Sequence, residues 1–183
     1  MSLRTRPLLT IGFAVLLAAV SAVFIRSLSP PASPSGSLAF LSAAKSLPIY
    51  DREGKVTDLS KEKGRLTIVH FWATWCPPCV EEIPALSRFW EKYRSRSDVA
   101  LYTVSVDKDW KIIDDFNRKN PNRLPIYRDP NEETAHRFGS TQYPETYIVN
   151  PAGRVIYRVQ GGMEWTDPEL QKRIEQLLAG SAS

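Results

Sequence analysis

Cys76 and Cys79 are the whole thiol content of this 183-residue sequence, and only Pro77 and Pro78 separate them. Thiols at that spacing can bind a metal, staple the chain or exchange with another disulfide. Zinc usually takes four ligands, commonly Cys or His; beyond the pair, the chain offers only His70 and His136. A purely structural disulfide here would close a loop too short to remove much chain entropy. Exchange chemistry is the reading the local sequence supports. A helix beginning near Cys76 would hold that sulfur among unpaired amides, at the positive end of the helix dipole, where a thiolate is favoured. Cys79, one turn later, would lie beneath it toward the core. Cys76 then attacks a substrate disulfide, and Cys79 attacks the mixed disulfide to release reduced product.

The prolines fit this division of labour. They cost little in the first helical turn, where the N–H groups lack intrahelical partners, and they preset φ. They also withhold the amides of residues 77 and 78, leaving those of Cys79 and Val80 nearest the sulfur. The expectation is a Cys76 less acidic than in a strong oxidant, hence a reducing pair. About 30 mV corresponds to 1.4 kcal/mol in such a couple.

Elements of the right kind surround the pair. Arg65 to Phe71, RLTIVHF, is β-branched and aromatic and predicts a buried strand running into the cysteine loop. Behind the cysteines, Val80, Ile83, Leu86, Trp90 and Tyr93 recur at helical spacing, with Pro84 expected to kink the helix. Val99 to Val106 alternates as a strand, and Ile112, Ile113 and Phe116 predict a helix ending before Asn120-Pro121. A short strand over Leu124 to Arg128 precedes a helix through Phe138. Thr146–Asn150 and Val155–Gln160 flank a Pro-Ala-Gly turn and predict a hairpin. Thr166 and Glu169, spaced as a capping box around Asp167-Pro168, open a final helix through Ile174, Leu177 and Leu178. Parallel strands joined by helices and closed by a hairpin make an α/β sandwich.

The first residues are of another kind. Leu8 to Ile25 is uncharged and mostly apolar; as a helix it rises about 27 Å, against a bilayer core of roughly 30 Å. Arg4 and Arg6 before the run favour a cytoplasmic N-terminus, with the rest of the chain outside. A cleaved signal peptide competes, but its apolar stretch is normally about 7–15 residues, so the length favours an uncleaved anchor. The organisation expected is an anchor over 1–26, a Ser/Pro-rich linker over 27–37 and one domain over 38–183. The linker's eleven residues reach about 34 Å when extended. Net charge is +4, but three of the arginines lie in the first thirty residues, where there is no acid; beyond them 21 basic residues face 20 acidic ones. A nucleic-acid partner has no support in that balance.

With these residues in view, a family resemblance emerges. Trp-Cys-Pro-Pro-Cys after a hydrophobic strand, with Pro84 five residues past Cys79, resembles the thioredoxin superfamily. More narrowly, FWATWCPPCVEEIP, the apolar N-terminus and a later YPETYIV resemble the TlpA/ResA/CcmG group of membrane-tethered extracytoplasmic thiol-disulfide oxidoreductases, several of which serve cytochrome c or cytochrome oxidase assembly. The similarity spans Leu47 to Gly162. It implies a thioredoxin-like sandwich with a central mixed sheet flanked by helices, preceded by one N-terminal transmembrane helix.

The resemblance also implies roles for particular residues. Pro144 matches the cis-proline facing the dithiol, with the Tyr143 backbone available to an extended substrate segment. Glu82 matches an acidic residue near the active site of ResA-like members. On a helix it shares a face with Cys79, and partial burial would let it take the Cys79 proton; a solvated surface glutamate is the alternative. His70 departs from the thioredoxin pattern, which carries a buried aspartate six residues before the first cysteine. It either takes over part of that proton-moving role or is a hydrogen-bonded core histidine. Trp75 and Trp72 fit a hydrophobic collar around the dithiol, although Trp72 also fits the core. Glu145 within Pro-Glu-Thr points to the CcmG-like variant, and His136 reads as a solvated helix residue.

The reading is a protein-disulfide reductase using Cys76 and Cys79, with no cofactor expected. Apocytochrome c is the favoured substrate class, and an upstream membrane thiol carrier would supply electrons. A thiol oxidant or isomerase shares the fold but needs a more oxidising pair. A copper-delivering protein using both thiols as soft ligands would lack any accompanying Met- or His-rich set. The thioredoxin-like arrangement of the pair argues against a peroxidase.

Overall fold

The computed structural model describes residues 46–180. The expected anchor (1–26), linker (27–37) and first residues of the expected domain lie outside the described residues. Among the described residues no helix is long and apolar enough to cross a membrane.

Strands β1 (Pro48–Tyr50) and β2 (Val56–Asp58) form an antiparallel hairpin that leads into a short 3-10 turn at Leu59–Lys61. Asp58 caps that turn by accepting the Ser60 amide. Then follow β3 (Leu66–Trp72), α1 (Pro77–Tyr93), β4 (Val99–Ser105), α2 (Trp110–Lys119) and β5 (Ile126–Arg128). The chain closes with α3 (Glu133–Phe138), β6 (Glu145–Val149), β7 (Val155–Gln160) and α4 (Pro168–Gly180). The seven strands form one sheet in the order β2-β1-β5-β4-β3-β6-β7. β3, β4 and β5 run parallel, while β6, β7 and the β1–β2 hairpin are antiparallel to their neighbours. The mixed α/β sheet expected from the sequence is present.

β3 and β4 lie in the middle of this order, and every residue of both is buried. That is the environment of a parallel strand covered on two faces. The alternation in VALYTVS therefore does not separate core from solvent: Thr103 and Ser105 are as buried as Leu101. One apolar cluster joins Leu47, Ile49, Val69, Phe71, Val104, Ala135, Phe138 and Tyr147 with the first turn of α1. A second joins Leu66, Ile68, Leu101 and Ile148 with Leu86, Phe89 and Tyr93 of α1 and with Trp165, Ile174 and Leu178.

Local signals were met except in the buried stripe of α1, the cap of α4 and the first hairpin. The buried stripe of α1 is Cys79, Glu82, Ile83, Leu86, Phe89 and Tyr93; Val80 and Trp90 sit at its half-buried margin. Pro84 lies on the exposed side, and the helix continues through it to Tyr93. At α4 the cap is Asp167 rather than Thr166. Its carboxylate accepts the Glu169 amide and its carbonyl the Gln171 amide, so the cap shifts to the residue directly before Pro168, and the expected capping box does not form, since the third residue on is Leu170. The β1–β2 hairpin was not expected from the sequence.

Candidate active site at the start of helix α1

β3 ends at Trp72, and the next four residues turn the chain into α1. Asp107, buried just past β4, holds this turn. One carboxylate oxygen accepts the Thr74 amide at 2.9 Å and the Ser105 hydroxyl at 2.7 Å, and the other accepts the Thr74 hydroxyl at 2.9 Å. The Val106 amide donates to the Trp72 carbonyl, continuing the β3–β4 ladder to the mouth of the loop.

Cys76 is the N-cap of α1, and Pro77 and Pro78 are its first two helical residues. Its sulfur accepts the Cys79 amide at 3.3 Å. The Val80 amide, also expected near the sulfur, instead donates to the Cys76 carbonyl at 3.1 Å. With the proline positions lacking N–H groups, one backbone donor remains for the sulfur.

Cys76 and Cys79 form a disulfide. Cys76 keeps 4% of its surface and Cys79 none, so outside attack is confined to Cys76. Cys76 is more enclosed than a helix tip suggests, because it packs in the same apolar cluster as Trp72, Ala73 and Ile83. The two tryptophans part company. Trp75 is 65% exposed beside the dithiol, whereas Trp72 is a core residue packed against Phe116.

The Tyr143–Pro144 peptide bond is cis, and Pro144 is buried. The Tyr143 ring meets Trp75 edge to face at 6.2 Å, which brings the 143–145 turn beside the cysteine loop. The Tyr143 hydroxyl donates to Glu132 at 2.7 Å, and Glu132 has the left-handed backbone at φ 58. Glu145 is fully buried and pairs with Arg158, which also donates to the Gly139 carbonyl. His136 is exposed on α3, as expected.

Glu82 is not a surface residue: 8% of it is exposed. Its Oε2 accepts the Met163 amide at 3.0 Å and the Trp165 indole N–H at 2.8 Å. Among the described residues its Oε1 has no hydrogen-bond partner, and it lies 3.5 Å from His70 Nε2. Burial pushes the carboxyl above the ordinary glutamate range, against the pull of the two donors. His70, 1% exposed, pairs across the sheet with Thr146, and its Nδ1 lies 3.0 Å from the Thr146 hydroxyl. Burial drops its pKa to about 3, so the ring is neutral near physiological pH.

The structure therefore joins Cys76 to Cys79, sets the Tyr143 ring, next to cis-Pro144, against Trp75, and sets Glu82, three residues past Cys79 on α1, against His70. Sequence reasoning missed Asp107, Thr146, Met163 and Trp165. Thr146, two residues past Pro144 on a predicted strand, carried the clearest available signal. Trp165 lies 83 positions from its partner Glu82, beyond the reach of any local pattern.

Comparison with known proteins bears on this geometry. The AhpC/TSA family model matches residues 42–158. A thiol-disulfide oxidoreductase ResA from Bacillus thuringiensis subsp. konkukian is 26% identical over 129 residues, covering 70% of this chain and 73% of that protein. Sporulation thiol-disulfide oxidoreductase A from Bacillus subtilis is 32% identical over 114 residues, 57% of this chain and 68% of that one. The crystal structure of StoA from Bacillus subtilis superposes with a TM-score of 0.59 at 26% identity, covering 71% of this chain and 96% of that one.

Proposed function

The chain belongs to the AhpC/TSA family and is a ResA/CcmG-like protein-disulfide oxidoreductase of the thioredoxin superfamily; from that premise we propose that it works as a reductase outside the cytoplasmic membrane, on cysteine pairs such as those of apocytochrome c. The observation that carries the reading is the N-cap placement of Cys76, with one amide donor on its sulfur and Cys79 closed off beneath it.

In the reduced protein, the Cys76 thiolate attacks one sulfur of a substrate disulfide. A Cys76–substrate bond forms, the substrate bond breaks and the second substrate sulfur leaves as a thiolate. Cys79 gives its proton to Glu82, directly or through one water, and attacks the Cys76 sulfur. The first substrate sulfur leaves, two electrons have passed to the substrate, and the Cys76–Cys79 disulfide remains. A dithiol donor anchored in the membrane restores the reduced pair, since thiols in an oxidising compartment need such a supply. Trp75 and the Tyr143 backbone beside Pro144 flank the entering segment. Residues 1–26 hold the chain to the membrane, with the domain on the extracytoplasmic side.

A Cys79→Ser variant expressed in the native cell tests this. It should accumulate dithiothreitol-sensitive adducts on Cys76 that contain cysteine-pair proteins, in particular apocytochrome c, in a fraction resistant to alkaline carbonate. Absence of adducts, or equal trapping by a Cys76→Ser variant, would remove the proposed order of attack. A carbonate-soluble chain would remove the anchor.

A further inference from the structure

Around Glu82, three residues past Cys79 on α1, lies a buried polar cluster whose hydrogen bonds are complete except in one place. Glu82 Oε2 is saturated by two groups that can only donate, the Met163 amide and the Trp165 indole N–H. The other oxygen, Oε1, has no partner among the described residues, and neither has His70 Nε2. These two orphaned atoms face each other at 3.5 Å. The far side of the imidazole is engaged by Thr146 Oγ1, a hydroxyl able to donate or accept. A buried unsatisfied pair is costly, and a single proton placed between these atoms satisfies both. The gap exceeds the ~2.8 Å of a charge-assisted hydrogen bond; a small turn about the soft terminal torsion of Glu82 would close it.

We propose that His70 and Glu82 share one proton across this gap, His70 acting as the positioning residue that keeps the Glu82 carboxyl satisfied both with and without its proton. This rests on the reading of Glu82 as the acceptor of the Cys79 proton and adds its partner. When Glu82 is a carboxylate, His70 Nε2–H donates to Oε1 and the Thr146 hydroxyl donates to Nδ1. When Glu82 is a carboxylic acid, Oε1–H donates to Nε2 and Nδ1–H donates to Thr146. The imidazole is neutral in both states and changes only its tautomer: as Oε1 takes the incoming proton, the ring gives up its Nε2 proton and regains one at Nδ1 by exchange with water, so the ring's own count is unchanged. The states differ by one proton, which matches the proton lost by Cys79 in the resolving step, and no electrons move.

The groups packed on the pair leave little else to answer for it. Thr146 of β6 and Thr103 of β4 are the register partners of His70 on either side of β3, and Trp165, from the segment before α4, meets the His70 ring edge-on at 5.8 Å. The charged neighbour acting on Glu82 is Glu164, exposed in that same segment, and it favours the protonated form.

The test is a pH titration of the full-length oxidised protein carrying ¹⁵N-histidine and ¹³C-carboxyl glutamate, followed by NMR, with exposed His136 as the reference signal. The His70 nitrogens should exchange tautomer signatures at the same midpoint as the Glu82 carboxyl, and the exchange should vanish in Glu82→Gln. His70→Leu, which removes the Nε2 donor, should raise the proton affinity of Glu82 about tenfold or more and carry the pH profile of substrate reduction upward with it. His70→Gln, still a donor but without tautomers, should keep the affinity close to that of the native protein. A His70 tautomer that stays fixed while Glu82 titrates would overturn the proposal, as would an unmoved carboxyl midpoint in a folded His70→Leu protein. If that variant does not fold, the native titration alone decides. Should Glu82→Gln reduce substrate at the native rate while the native tautomer exchange is present, the shared proton stands and the role of Glu82 as base does not.

Discussion

Pro78 occupies the second helical position of α1, and an N-cap side chain accepts from the second or third helical amide. Here only the third, that of Cys79, reaches the Cys76 sulfur. Pro78→Ala supplies the missing N–H, favours the thiolate and so stabilises the reduced pair. The reduction potential should rise by tens of millivolts, at about 30 mV per 1.4 kcal/mol, and a glutathione titration would read it; a fall in potential would contradict the argument. Buried groups also set the response to pH. Glu82, its pKa raised above 4.5, favours folding in acid, and that contribution is lost as pH climbs through its raised value. His70, lowered from 6.5 to about 3, contributes above 6.5, and its contribution is lost as pH falls toward 3. Urea midpoints across pH should therefore show His70→Gln losing less stability than the native protein between pH 6.5 and 3. Glu82→Gln should gain on the native protein as pH rises from 4.5. Parallel curves for all three would mean that neither group is held as described.

Elements act here by carrying residues to each other across long stretches of chain. The turn between β3 and α1 has no regular structure of its own, and Asp107 from beyond β4 supplies bonds that substitute for it. Asp107→Ala would leave the Thr74 amide and hydroxyl and the Ser105 hydroxyl without this acceptor. At about 1–3 kcal/mol for each group left unsatisfied in the interior, the loss should reach several kcal/mol by denaturant unfolding, together with a fall in the rate of Cys76 alkylation in the reduced protein. Asp107→Asn, which keeps one carbonyl acceptor, should recover part of both; full stability in the alanine variant would show that the turn holds itself. Trp165 works in the same way, since the segment ahead of α4 lays an indole N–H and the Met163 amide on Glu82 while its ring fills the second apolar cluster.

Across the whole molecule, what could be read from the sequence follows the range over which each interaction acts. The dithiol at a helix start, the buried β3 strand and the terminal hairpin were legible because neighbouring residues create them. The β1–β2 hairpin was not, because its three-residue strands are too short for any period to show. The setting of Glu82 was only half legible: its position one turn after Cys79 predicted a shared face, while its partners come from β3 and from the segment before α4. The direction of electron flow is a property at this largest scale. Reducing the disulfide opens a closed pair and leaves Cys79, with none of its surface exposed, as a buried thiol. Through the thermodynamic cycle linking folding and oxidation, a pair that is more reducing when folded than when unfolded must make the oxidised protein the more stable form. Each 30 mV of that difference is worth about 1.4 kcal/mol of stability. Thermal unfolding of the two forms should therefore give a lower Tm after reduction, with Pro78→Ala narrowing the gap. A reduced form that melts higher than the oxidised one would identify an oxidant, and the electrons would then run from substrate thiols into the Cys76–Cys79 disulfide.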